Sequence, residues 1–175
     1  MASLGHIAVG LAAGRIYCAK GATTRQLTKA MLAFSALSML PDADVIAFAV
    51  GIPYEAPFGH RGASHSLGFA LIAGAAAWLV AKGLKLPPLR TAVISTLVVF
   101  SHALLDTLTN GGLGCALWWP LSNERYFAPV AMIPVSPLGL DFISLTGFLV
   151  LAVESLLFLP LWLYATFPRR RPKAG

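Results

Sequence analysis

Long runs of apolar residues, separated by short clusters of lysine and arginine, limit the folds open to this chain more than any other feature of it. Apolar runs extend from about Leu4 to Ala19, Leu27 to Val50, Ser64 to Ala81, Thr91 to Leu108 and Asp141 to Phe167. A helix that crosses a bilayer needs about 20 apolar residues, and charged residues make up only 11% of the chain, against about 25% in a soluble domain. The reading is an all-α, polytopic integral membrane bundle of about five segments. The first two are short or broken, the second by Pro41-Asp42-Ala43-Asp44. One membrane-embedded domain is expected over 1–168, with a basic cytoplasmic tail over 169–175. The stretch from Leu4 to Ala13 has neither a charged n-region nor a cleavage site, so it is expected to be part of the fold.

The net charge of +6 does not point to nucleic acid, because the basic residues flank apolar runs instead of lining one soluble face. They read as topology signals: Arg15, Lys20, Arg25 and Lys29, then Lys82, Lys85 and Arg90, then the tail from Arg169. The positive-inside rule places all three clusters in the cytoplasm of a multi-pass cytoplasmic (inner) membrane protein. The loops over 52–63 and 110–140 then lie on the extracytoplasmic side. Cys18 and Cys115 match no metal or disulfide spacing and read as packing residues.

On this map the four histidines and three of the seven acids fall at one level. His6 opens the first segment, and His60 and His65 bracket the start of the third. Asp42 and Asp44 follow the proline in the second. His102 and Asp106, spaced i, i+4 on one helix face, lie in the outer half of the fourth. Ionisable groups at such depth are costly and usually paired or functional. His6, Asp42, Asp44, His60, His65, His102 and Asp106 offer nitrogen and oxygen ligands without thiolate, more than one tetrahedral zinc uses. A divalent metal is therefore expected, zinc before others, as one or two ions with some residues orienting the rest. Ser64 or Ser66 would cap the third segment, and Asp141 the fifth. Trp118 and Trp119 read as an interfacial belt. Glu154, mid-way along the fifth segment, is expected to make a buried polar contact.

The strings Leu40-Pro41-Asp42-Ala43-Asp44, His60-Arg61-Gly62-Ala63-Ser64-His65-Ser66 and Ser101-His102-Ala103-Leu104-Leu105-Asp106-Thr107-Leu108-Thr109, followed by Trp119-Pro120, resemble the YdjM-like family of predicted membrane-bound metal-dependent hydrolases. The resemblance runs from His6 to about Pro137. It implies that the same seven residues are the metal positions, that Arg61 joins them, and, through a distant likeness to zinc-dependent phospholipases C, that the chemistry is phosphoester cleavage on lipids.

A hydrolase whose site faces the extracytoplasmic side and acts on a phospholipid or other lipid phosphate follows from these readings. Asp44 or Asp106 would serve as general base, and Arg61 and Arg125 would clamp phosphate, since guanidinium matches its oxygens bidentately. No HExxH is present, which weighs against a zincin-type protease. The alternative from another class is a non-catalytic metal-binding membrane protein, either a transporter or a subunit of an envelope complex. A transporter should carry polar residues through the inner half as well, where this chain is nearly dry apart from Glu154.

Overall fold

The computed structural model describes residues 3–135 and 143–167. Asp141 and the tail over 169–175 lie outside the described residues. The order is α1 (Ser3–Tyr17), α2 (Thr24–Met39), a 3-10 turn (Leu40–Val45), α3 (Ile46–Ala49), a second 3-10 turn (Ala63–His65), α4 (Leu67–Gly83), α5 (Pro88–Thr107), α6 (Leu145–Leu157) and α7 (Leu159–Thr166). Among the described residues there is no strand ladder, only isolated bridges from Thr109 to Ile133 and from Cys115 to Tyr126. The all-helical class holds.

Among the described residues two helices are long and apolar enough to cross a membrane, Thr24–Ala49 and Pro88–Thr107, and the α6–α7 pair makes a third if counted as one span. The expected five segments are thus matched at two or three. With 15 residues α1 falls short of a full crossing, and α4, with 17, is at the lower limit of about 17. The fifth run is not one straight helix. Pro160 lacks the N–H that continues a helix, and the chain bends by 65° between α6 and α7.

Caps fall where local chemistry dictates. Thr23 and Gln26 form a reciprocal capping box at α2. Ser66, not Ser64, caps α4 by accepting from the Phe69 N–H at 3.0 Å. Ser144 holds the corresponding place at α6, a role expected of Asp141.

The bundle buries its polar cluster and turns many large apolar residues outward. Leu71, Ile72, Leu79 and Val80 of α4 and Leu89, Val93 and Leu97 of α5 are exposed, while the histidines and acids of the candidate site are buried. Helices in lipid gain little from hiding leucine and instead pack through small residues. Gly10 and Gly14 illustrate this: a Cβ on Gly10 would run into the backbone of Ser35, and one on Gly14 into that of Met31. These two glycines let α1 lie backbone to backbone against α2. Glu154, fully buried on α6, accepts from the Leu4 N–H at 2.8 Å. A carboxylate there meets one of the unsatisfied donors at the start of α1 and complements its dipole. It thereby anchors the turn that carries His6, an anchoring use for the contact expected of it.

Candidate metal centre

The proline break in the second helix builds the first part of the site. Tightening to 3-10 geometry after Met39 shifts hydrogen bonding from i−4 to i−3. The Ser38 carbonyl then accepts from Nδ1 of His102 at 2.6 Å. A carbonyl only accepts, so the proton of a neutral His102 sits on Nδ1 and its Nε2 presents a lone pair. The same turn aims Asp42 inward.

His65 is fixed in the same sense from the other side. Its Nδ1 lies 3.1 Å from Asp44 Oδ2 and 3.0 Å from Ser64 Oγ, and Ser64 directs its own proton to Asp44. Nδ1 therefore donates, and Nε2 is again the lone pair. The two Nε2 atoms face each other at 3.1 Å. Asp42 Oδ1 stands 3.3 Å from Nε2 of His102 and 3.6 Å from that of His65, and Asp106 Oδ2 is 3.6 Å from the latter.

Asp42, His65, His102 and Asp106 are all buried, and each aims one atom into a space where those atoms lie within 4.8 Å of one another. Neither oxygen of Asp42 has a hydrogen-bond partner among the described residues. Buried carboxylates are rarely left so. A ring proton can serve one of these neighbours, whereas a divalent cation serves them all at once, so the donor set fits a metal ion.

A second group, Asp44, His60 and His65, shares His65. Asp44 is its hub, accepting from His60 Nδ1 at 2.6 Å, from the Arg61 N–H at 3.1 Å, from Ser64 Oγ and from His65 Nδ1. Such carboxylate–histidine pairs orient a ligand ring and fix its tautomer. The arrangement is no Ser–His–Asp relay, since Ser64 and Asp44 both sit at Nδ1 of His65 and a relay needs them on opposite nitrogens. His6 stacks on His102 with ring centroids 3.6 Å apart and places Nε2 3.3 Å from Asp106 Oδ1. It borders the four-residue group and is not one of its members.

Both arginines have tasks that the sequence did not reveal. Arg61, at φ 60° and 1% exposed, places Nε 2.9 Å from Asp106 Oδ2 and donates from Nη1 to the Gly111 carbonyl at 2.7 Å. Gly112, at φ 85°, lets the loop close on it, for a Cβ there would stand 2.9 Å from Nη1. Arg125 donates to the carbonyls of His60, Gly114, Tyr54 and Ala56 at 2.8–3.4 Å. Arg125, the residue expected to clamp phosphate, thus joins the loop after α5 to the loop before α4.

That loop roofs the site and buries Cys115. Burial pushes its thiol up to about 12, with Asp106 adding to the shift. The thiolate is the reactive form, so Cys115 should resist alkylation at pH 8 in the folded protein while half-buried Cys18 reacts. An unfolded thiol titrates near its ordinary value of 9.0, so any stability this group contributes is complete below that pH and falls as pH rises towards 12. Mass spectrometry after alkylation at pH 8, with and without denaturant, checks the contrast; equal labelling of both thiols in the native protein would contradict it.

A cleft of about 270 Å³ reaches the second group from outside, lined by Asp44 and Ser64 at its polar end and by Phe58, Ala63, Phe69, Ile72 and Trp119. Trp119 meets Phe58 edge-on at 5.9 Å, so it belongs to the cleft wall as well as to the belt expected of it. Tyr54, which the sequence did not single out, stacks on His60 at 5.2 Å. Pro41 was the one readable signal for this geometry, as a helix break that frees a carbonyl.

A family model described as YdjM inner membrane protein matches residues 1–170. Inner membrane protein YbcI of Escherichia coli (strain K12) is 42% identical over 106 residues, 60% of this chain and 61% of that protein. The match thus spans less than two thirds of that relative's length. No solved structure matches the chain.

Proposed function

The chain belongs to the YdjM inner membrane protein family, and on that premise we propose that it is a metal-dependent hydrolase cleaving a phosphoester of a phospholipid or other lipid phosphate. The observation that carries the reading is the convergence of His65 Nε2, His102 Nε2, Asp42 and Asp106 on one buried space, beside a cleft that opens at Asp44. These four residues would hold the ion, and zinc suits imidazole and carboxylate donors without thiolate. A divalent ion supplies Lewis acidity towards water and a phosphoryl oxygen.

The chain's own residues divide the remaining work. Asp44 is the one acid among the described residues that line the cleft, so we assign it the proton from the attacking water. Its Oδ1 accepts from His60 Nδ1, while the Arg61 N–H, Ser64 and His65 all lie at Oδ2, so Oδ1 keeps a lone pair for that proton. Asp106, fully buried behind it against Arg61 and His6, is a ligand and an anchor. Arg61 sets Asp106, and we give neither it nor Arg125 a substrate contact. Because the Nδ1 protons of His65 and His60 both point at Asp44, we favour one ion with the second group orienting it.

We also place α1 and α4 in the bilayer as short segments, five segments in all, with the site on the extracytoplasmic side. In support, Arg15 and Arg90 cluster at the opposite end of α1 from His6, donating to the carbonyls of Ala165 and Ile16.

A second reading, an ion that only staples the bundle, draws on the burial of all four ligands, since structural zinc sites are closed and catalytic ones keep an open position. One experiment separates the two. The purified protein is expected to carry about one ion per chain by mass spectrometry, and to release phosphate or headgroup from mixed lipids in a manner abolished by chelator and restored by zinc. Bound metal without any metal-dependent product across a broad lipid panel would leave the staple, and a protein that binds no metal would sink both.

A further inference from the structure

We propose that the cleft beside Asp44 seats the hydrocarbon chain of the substrate, which enters sideways from the bilayer and so presents its anionic end to the site. The inference rests on the hydrolase reading and adds to it where the substrate's chain lies and the route by which it arrives. The cleft is polar at one end only. Asp44 and Ser64 line that end and are tied directly to His65. Elsewhere the described residues that line it are aromatic or aliphatic and offer one side-chain hydrogen-bonding group, the Trp119 indole N–H, where a sugar or nucleoside phosphate would need several.

Its outer wall belongs to α4, which carries no charged residue before Lys82. Ile72, at the cleft, is 61% exposed, next to the equally apolar and exposed Leu71. In a membrane protein that face meets lipid. Phe58, 64% exposed, stands with Trp119 at the rim. An amphiphile fits both the direction of this polarity gradient and the phase from which the cleft is reached; a second copy of the chain would fit the apolar wall but not the acid and hydroxyl at its end.

The test uses the full chain in detergent, loaded with zinc, and measures by calorimetry the equilibrium binding of alkylphosphonates from butyl to octyl. These do not hydrolyse and are used below their own micelle concentrations. Burying one methylene corresponds to about a fourfold gain in affinity, so the wild-type protein should tighten by about that factor per added carbon.

Ile72→Trp fills the cleft from an exposed position and should keep its metal, yet bind the octyl compound at least tenfold more weakly than wild type. Phe69→Ala, which removes a wall, should flatten the chain-length series without loss of metal and serves if the tryptophan variant fails to fold. A wild-type affinity indifferent to chain length, or a series unchanged in metal-loaded Ile72→Trp, overturns the proposal. Should lipid be hydrolysed while chain length makes no difference, this inference fails alone; a steep series without any hydrolysis keeps the cleft and removes the hydrolase.

Discussion

Arg61→Leu is expected to lower the stability of the fold by about 3–5 kcal/mol, the range for removing one partner of a buried ion pair. The arginine is 1% exposed and Asp106 wholly buried, so the change removes a full positive charge from beside a buried carboxylate whose other neighbours include the rings of His6 and His65. It also removes the bond from Nη1 to the Gly111 carbonyl, which holds the loop over the centre. A lower unfolding midpoint in denaturing detergent, with loss of protection at Cys115, is the expected readout. Arg61→Lys should recover little, because an ammonium cannot meet Asp106 and Gly111 with the guanidinium's fixed geometry. A midpoint within about 0.5 kcal/mol of wild type, the range of an ordinary surface substitution, would show that the pair is not what holds the loop.

The second large effect concerns metal. His102→Ala removes one of the four convergent lone pairs and should take the protein from about one ion per chain to nearly none. His60→Ala leaves those four in place and disturbs only the hydrogen bond that steadies Asp44. Loss of such an orienting partner costs about 10–100-fold in metal affinity, so at saturating zinc the ion count should stay at one. Two ions in the wild type, falling to one in His60→Ala, would instead make the Asp44, His60 and His65 group a second metal site. Competition with a chelator of known affinity gives the stoichiometry and the affinity together.

The membrane class, the helical content and the roster of ionisable residues were all legible in the sequence, because they depend on properties each residue carries with it. Hydropathy sums along a run whatever its neighbours do. Thr23 with Gln26, and the break at Pro41, act within one helical turn. Even the gathering of histidines and acids at one level could be read from the spacing of basic clusters, since rise per residue in a helix is fixed.

The division of labour among those residues was not legible. His6 and Asp106 are 100 positions apart and meet at 3.3 Å in a fold where Gly10 and Gly14 bring α1 against α2 and Glu154 holds the start of α1 to α6. Arg125 looks the same in a sequence whether it clamps a phosphate or, as here, gathers four carbonyls. The fifth segment read as one long helix because hydropathy is blind to the missing N–H of Pro160.

So the apolar runs and basic clusters established a membrane bundle with nitrogen and oxygen ligands at one end, because local composition and helix geometry suffice for that. Which four atoms converge, which carboxylate faces the cleft and which groups the two arginines meet depended on how helix faces pack across a hundred residues. Hydrogen bonds that fix a ring's tautomer exist only once those faces have met.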